Sequence, residues 1–158
     1  MSSALIEMFR HNLWANLGLL EACDGLADSV LDATTPGTYG SARDTLLHLC
    51  ASEERYVLRL TAEEQKRPLS EETPFPGLAE LRKRATASGE ALITIASRFR
   101  PRIIKGTYRG QGLAIPAAAF MVQAINHATE HRAHVMTILT QQGVRPPDLD
   151  AWHYAGVR

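Results

Sequence analysis

The stretch "NHATEHRAHVMTIL" near the C-terminus carries three histidines, His127, His131 and His134, in an otherwise helix-forming run. On a helix, His127 and His131 are one turn apart and project from the same side, the separation at which two imidazoles can bind one metal ion. His134 continues this stripe, with Phe120 and Ile138 above and below it. The spacing suits a metal site, although histidine pairs at this separation more often form surface or hydrogen-bonded pairs.

Two familiar metal motifs do not fit this stretch. A zinc protease needs a glutamate directly after the first histidine, and here that position is Ala128, with Glu130 two residues further on. The paired Glu-x-x-His motifs of a di-iron carboxylate protein are also missing from the sequence. A mononuclear site therefore needs a third ligand from another helix, and the candidates are His11 and His48.

His48 lies in "RDTLLHLCASEERY", one turn after Asp44. A carboxylate at that position could fix the tautomer of the imidazole and so prepare it to bind a metal. However, Asp44, Ser52, Arg55 and Arg59 share the same side of the helix, and such a row is typical of a solvated face. Periodicity alone leaves open whether His48 is functional.

The elements that would position these histidines are four helices separated by loops rich in proline and glycine. Apolar residues at helical spacing predict the first helix from Ser3 to about Cys23 and the third along a stripe from Leu78 to Phe99. Ser41 caps the second helix, which covers 42–64, with Asp44 favourably placed three positions after the cap. The fourth helix opens at Pro116 and closes at Gly143.

Between the third and fourth helices, "RPRIIKGTYRGQGLAIP" predicts an irregular or hairpin-like crossing. The pattern as a whole predicts an all-α fold, an antiparallel four-helix bundle forming one domain over residues 1–158. In this arrangement the apolar stripe of the first helix, which includes Phe9, Leu13 and Leu17, should face the third and last helices. Trp14 and Tyr56 are expected at the surface or at a dimer interface.

Composition restricts the partners and the compartment. The chain of 158 residues contains 17 Lys plus Arg and 17 Asp plus Glu, so no global field attracts nucleic acid or a membrane surface. Its two cysteines, Cys23 and Cys50, form no CxxC pair and are too few for a disulfide framework. The first residues contain charged and polar side chains, unlike a signal peptide or a membrane span, so a cytoplasmic protein is expected.

Three stretches together resemble the DinB/YfiT-like family of bacterial metalloenzymes. "FRHNLWAN" resembles the aromatic-x4-Trp-Ala-Asn opening of that family's first helix, and "SARDTLLHLCASEERY" resembles its second-helix motif, in which one histidine precedes a Ser-Glu pair and an aromatic residue. "NHATEHRAHVMTILTQQGVRPPDLD" resembles the last-helix signature, His-x-x-x-His-Arg followed by a helix end at Gly-x-x-Pro. The stretches follow the family's order, and the match runs over nearly the whole length.

The resemblance implies an antiparallel four-helix bundle, commonly dimeric, with no DNA contact. It also implies that His48, His127 and His131 bind one divalent metal ion, zinc or nickel. Position 134 is usually Gln in the family, so His134 departs from the pattern. This histidine could enter the metal's outer shell, donate to a substrate, or compete with His131 as a ligand.

Three neutral imidazoles leave a divalent metal with open positions, as in a catalytic zinc site. Such a metal could activate water, polarise a carbonyl or hold a thiolate ready for attack. Relatives in the family include transferases that add low-molecular-weight thiols to electrophiles, so thiol transfer to a small-molecule substrate is the first expectation. Glu130, Glu53 and His134 are candidate acid–base or substrate-contacting groups, although Glu130 could simply be exposed.

Three other functions remain open. The first is a metal-dependent hydrolase. The second is a non-catalytic, metal-stabilised bundle, in which His134, His11 or a carboxylate would close the coordination sphere. The third is a structural dimer that binds no metal.

Overall fold

The computed structural model of the chain describes residues 3–63, 67–108 and 110–157. These residues are mostly helical and include one small antiparallel sheet. The long helices are α1 (Ala4–Ala22), α3 (Ala42–Thr61), α4 (Leu78–Ser97) and α5 (Ala117–Gln141). The short elements are α2 (Asp28–Leu31), β1 (Ile103–Tyr108), β2 (Gln111–Pro116) and α6 (Ala151–Tyr154).

The predicted capping residues set several of these boundaries. Ser41 and Asp44 form a reciprocal capping box, in which the Ser41 hydroxyl accepts the backbone N–H of Asp44 and the Asp44 carboxylate accepts the backbone N–H of Ser41. At the other end of the chain, Gly143 follows α5 with φ of +74°, a left-handed conformation that a residue with a Cβ adopts only with strain. These local signals explain why the boundaries of α3 and α5 could be predicted from the sequence to within a few residues.

Two predicted boundaries shift slightly. The second predicted helix ends earlier than expected, because α3 stops at Thr61 and Ala62 adopts φ of +58°; Glu64 lies outside the described residues. Pro116 is the N-cap of α5 and also the last residue of β2, so the helix itself begins at Ala117. The crossing segment is a two-stranded antiparallel hairpin that pairs Ile103 with Pro116, which confirms its hairpin form.

The long helices bury their apolar faces against one another. Helix α1 packs mainly on α4 and also on α5, while α3 packs on both α5 and α4. Helix α1 comes close to α4 at Gly89, where an added Cβ would lie 2.6 Å from Cδ1 of Leu13. Helix α5 therefore contacts both α3 and α1, and its contact with α3 is the more extensive.

The buried face of α1 is centred differently from the predicted one. Phe9 is buried as expected, but Leu13 and Leu17 are only half-buried, and the buried residues of this helix also include two asparagines: they are Phe9, Asn12, Ala15, Asn16, Leu19 and Leu20. The buried face therefore contains two asparagines that hydrophobic patterning did not predict, beside leucines such as Leu20 that it did. Buried amides need hydrogen-bond partners, and the site description below identifies them.

Residues after α5 cover part of α1. The Nε2 atom of His11 lies 2.9 Å from the carbonyl oxygen of Leu149, and the Trp14 ring packs against Tyr154 with a centroid separation of 5.4 Å. Trp14 is thus half-buried beneath the C-terminal segment rather than openly displayed. Among the described residues, no helix combines the length and apolar character needed to cross a membrane.

Candidate metal centre

Three histidines from two packed helices meet at one place. His48 projects from α3, and His127 and His131 project from successive turns of α5. One nitrogen of each imidazole can be chosen so that all three atoms lie within 4.8 Å of one another. The cluster of His48, His127 and His131, called the histidine cluster below, is the set that the sequence resemblance implied.

The closest pair in the histidine cluster has a separation suited to a shared cation. The Nε2 atoms of His48 and His127 are 3.1 Å apart. Two nitrogen ligands that bind one tetrahedral zinc ion at ~2.0–2.1 Å stand about 3.3 Å from each other. The pair therefore needs little movement to accept a metal.

The protonation state of the cluster also suits metal binding. Burial, followed by the charges of neighbouring histidines, lowers the pKa of His127 to about 4 and that of His131 to about 4. Both imidazoles are then neutral at physiological pH, the form in which a nitrogen can donate its lone pair to a metal. Nδ1 of His131 is buried and has no hydrogen-bond partner within the described part of the chain, which fits a group placed for a ligand.

Two tyrosines form aromatic walls beside the histidine cluster. The Tyr39 ring stacks on His48 with a centroid separation of 4.0 Å and an interplanar angle of 24°. The Tyr56 ring meets His127 edge-on at 5.8 Å, so Tyr56 lines the candidate centre instead of serving only as the surface or dimer contact that was expected. Tyr39 is 43 % exposed, which leaves the cluster close to solvent on that side.

The carboxylate beside His48 is Glu71, and the prediction of Asp44 for this role is wrong. Nδ1 of His48 lies 2.7 Å from Oε2 of Glu71, whereas Asp44 is engaged in the capping box with Ser41. Glu71 belongs to the loop between α3 and α4, 23 positions beyond His48. Helical periodicity links Asp44 with His48 but carries no information about a loop that folds back across the helix.

The environment of Glu71 favours its ionised form. Burial alone would raise its pKa, but hydrogen bonds from His48 and Arg55, with the charges of both, lower that pKa below its ordinary value. The Arg55 guanidinium donates to Oε1 at 2.7 Å, and the Tyr39 hydroxyl donates to Oε2 at 3.2 Å. A charged acceptor therefore stands behind His48, on the side away from His127.

The remaining histidine candidates lie outside the ligand set. His11 is occupied by the C-terminal segment, with its Nε2 facing the carbonyl of Leu149, so it is not the third ligand. His134 contacts the His131 ring edge-on at 5.2 Å but is not part of the group whose nitrogens converge. Its Nδ1 is buried and lacks a hydrogen-bond partner among the described residues.

The two glutamates proposed as acid–base groups have different surroundings. Glu130 is exposed on α5, and its charge acts on the adjacent His131. Glu53 is only 3 % exposed, and its carboxylate accepts from Ser88 at 2.5 Å and from Asn12 and Asn16 at 3.0 Å each. Glu53 is thus a structural acceptor inside the helix assembly, not a group available to a substrate.

The same asparagines connect Glu53 to a buried arginine. Nη1 of Arg132 donates to Oδ1 of Asn12 and Oδ1 of Asn16, at 2.7 Å each. Burial lowers the pKa of Arg132 to about 10, against the opposing effect of the Glu53 charge. Burial likewise raises the pKa of Glu53, although its donors and the Arg132 charge counteract this. We call Asn12, Asn16, Glu53, Ser88 and Arg132 the buried polar network.

The buried polar network contains residues from each of the three sequence stretches that resemble the family. Asn16 ends "FRHNLWAN", Glu53 belongs to the Ser-Glu pair of the second stretch, and Arg132 directly follows His131 in the third. A model of the DinB family matches residues 1–157. The chain belongs to the DinB family. No curated protein matches the chain.

In this DinB protein, the polar residues of the three stretches therefore form two neighbouring groups, the histidine cluster and the buried polar network. His48, His127 and His131 converge on a candidate metal position. Arg132, the immediate neighbour of His131 on α5, points instead into the buried polar network. The network ties α5 to α1, so it holds the helix that supplies two of the three imidazoles.

Proposed function

We propose that this DinB protein is a metal-dependent enzyme that joins a low-molecular-weight thiol to an electrophilic small molecule. His48, His127 and His131 hold one divalent ion, zinc or nickel, in this proposal. The observation that carries it is the three-histidine cluster, to which no fourth histidine, cysteine or carboxylate among the described residues adds a ligand. Three protein ligands with a position left for another molecule are characteristic of catalytic rather than structural zinc.

The bundle arrangement is part of the same proposal. The contacts α1–α4, α4–α3, α3–α5 and α5–α1 form a closed ring of neighbours, which supports an antiparallel four-helix bundle. Helices α3 and α5 are adjacent in that ring, as a site between them requires. A homodimer and a cytoplasmic location stay expectations from the sequence.

The chemistry supplied by the bound ion would be Lewis acidity, which favours the deprotonated form of a thiol or water beside it. The chain's own contribution is to keep His127 and His131 neutral through burial and to hold His48 against Glu71. Tyr39 and Tyr56 flank the imidazoles and limit the directions from which a substrate can approach.

The positions of the carboxylates favour thiol transfer over hydrolysis. Glu71 already accepts from His48, Arg55 and Tyr39, and Glu53 is enclosed in the buried polar network, which leaves only the solvent-exposed Glu130 of the three carboxylates considered. A thiol ionises far more readily than water, so thiol transfer needs less help from a general base than hydrolysis does. In the transfer, the thiol proton passes to solvent and the sulfur electron pair forms the new S–C bond. The leaving group departs with the electrons of the bond that breaks.

Turnover by the metal-loaded, tag-free protein tests this proposal. A panel of low-molecular-weight thiols is mixed with a chromogenic electrophile, and a chromogenic ester is tested in parallel for hydrolysis. We expect thiol conjugation that depends on added Zn²⁺ or Ni²⁺ and disappears in the His127→Ala variant. His11→Ala, which removes an imidazole outside the cluster, is the matched control. Conjugation that is equally fast without metal, or in His127→Ala, would contradict the proposal, and ester hydrolysis alone would favour the hydrolase.

A further inference from the structure

Both carboxylate oxygens of Glu71, in the loop between α3 and α4, have hydrogen-bond partners around His48. One oxygen of its carboxylate faces Nδ1 of His48 at 2.7 Å, and the other accepts from Arg55 at 2.7 Å. The side chains of His48 and Glu71 are 16 % and 29 % exposed, so water competes only partly for this contact. The Tyr39 ring stacks on His48, and its hydroxyl donates to the same Glu71 oxygen.

The loop that carries Glu71 is itself fixed to the helices. Leu69, two residues earlier, is 8 % exposed and packs in the core. Its backbone N–H donates to Oε2 of Glu54 at 2.6 Å, and Glu54 also pairs with Arg84 through two bonds of 2.6 and 2.7 Å. Bidentate pairs of this kind are the strong and directional class of ion pair. The Glu71 carboxylate is therefore delivered to His48 from an anchored backbone.

This contact determines which nitrogen of His48 carries the proton. An ionised carboxylate only accepts hydrogen bonds, so a neutral His48 must place its proton on Nδ1. The lone pair then lies on Nε2, and Nε2 is the nitrogen that faces His127 at 3.1 Å. An isolated imidazole would be free to hold the proton on either nitrogen and to rotate.

We infer that Glu71 is a positioning residue of the metal centre, which fixes the tautomer and the ring orientation of His48 so that Nε2 is presented to the ion. The inference rests on the proposed function for its purpose, but the effect on His48 is a property of the metal-free protein. A purely structural role for Glu71 predicts something different. In that case its pairing with Arg55 would hold the loop, and the state of His48 would not depend on it.

The experiment measures the His48 tautomer and the affinity for Zn²⁺ separately. Imidazole ¹⁵N NMR on the metal-free protein at pH 8 reports the protonated nitrogen, and competition with a chromophoric chelator gives the Kd for Zn²⁺. The variants are Glu71→Ala and Glu71→Gln, whose amide oxygen can still accept from Nδ1. The matched control is Glu72→Ala, which removes the neighbouring exposed carboxylate.

We expect wild-type His48 to be protonated on Nδ1 and the Glu71→Ala variant to lose this preference. Zn²⁺ affinity should fall about 10–100-fold in Glu71→Ala, the range typical of removing such a partner, recover largely in Glu71→Gln, and stay unchanged in Glu72→Ala. An unchanged tautomer in Glu71→Ala overturns the inference, whatever happens to affinity, and so does an equal loss of affinity in Glu72→Ala. A wild-type protein that binds no Zn²⁺ would refute the proposed function, while the NMR result would still decide the role of Glu71.

Discussion

Replacing Glu53 by alanine should destabilise this protein far more than removing any exposed glutamate. The substitution removes the acceptor of three buried hydrogen bonds, from Asn12, Asn16 and Ser88. It also leaves Arg132, which is 5 % exposed, without the Glu53 charge that partly offsets the effect of burial on its pKa. Unpaired buried donors cost about 1–3 kcal/mol each, and a buried charge that loses its counter-charge costs more.

These contributions overlap, since Asn12, Asn16 and Arg132 belong to one hydrogen-bonded network and their losses are not independent. We therefore expect a total of about 3–5 kcal/mol, a large part of the ~5–15 kcal/mol that stabilises an ordinary domain. Urea unfolding followed by far-UV circular dichroism measures the change, and the midpoint is compared at unchanged slope. Glu53→Gln keeps the shape and one acceptor oxygen, so its loss should be smaller.

Glu90→Ala is the matched control, because Glu90 is an exposed residue of α4 and surface substitutions usually change stability by about 0.5 kcal/mol or less. A Glu53→Ala variant that unfolds within ~1 kcal/mol of Glu90→Ala would refute the reasoning. It would mean that the buried polar network adds little to the free energy of unfolding.

Three further predictions concern packing, pH and the extra histidine. Gly89→Ala should destabilise the protein by about 1–3 kcal/mol although alanine is the better helix former, because its Cβ would lie 2.6 Å from Leu13. Urea unfolding should show a smaller cost in a Leu13→Ala background, and an equal cost would contradict the clash. The metal-free protein should lose stability as the pH falls from about 6.5 toward 4, because His127 and His131 have folded pKa values of about 4 and the unfolded chain takes up protons first. Thermal melts across that range should show a weaker dependence in a His127→Gln/His131→Gln variant, and an identical slope would contradict the assignment. His134→Gln should retain the metal, since His134 lies outside the converging group, and elemental analysis showing its loss would make His134 a ligand.

The sequence predicted the helix positions well because their boundaries depend on local chemistry. Ser41 and Asp44 cap α3 by contacts that span only three residues, and Gly143 ends α5 by its own backbone conformation. The hairpin between α4 and α5 was likewise visible as β-branched residues around glycines. Such signals act over a few residues, so they can be recognised in the sequence without knowledge of the tertiary fold.

The histidine cluster was only half visible from spacing. The one-turn separation of His127 and His131 indicates a possible metal site. The side of α3 that carries His48, however, is rich in polar residues and resembles a solvated face. Residue reasoning left His11 and His48 as candidates for the third ligand, and only the resemblance to the DinB family chose His48. Its position beside α5 depends on which helices are neighbours, and periodicity does not determine that.

Two features were missed for different physical reasons. Glu71 lies in a loop, where no periodicity relates a side chain to a helix that it folds against. Asn12 and Asn16 were passed over because hydrophobic patterning assigns asparagine to the surface, although both lie at helical spacing from the buried Phe9. The available signal was the presence of these two amides on the otherwise apolar stripe of α1. Their partner is the buried Arg132 of α5.

The metal content of tag-free protein tests the central claim most directly. Wild-type protein, purified without a histidine tag and dialysed against metal-free buffer after loading, is compared with His48→Ala, His127→Ala and His131→Ala by elemental analysis and circular dichroism. We predict one divalent ion per wild-type chain and most of it lost from each variant, with helical content nearly unchanged, because two imidazoles hold the ion far more weakly than three. A wild-type chain without bound metal, or a His48→Ala variant that keeps a full equivalent, would contradict the account.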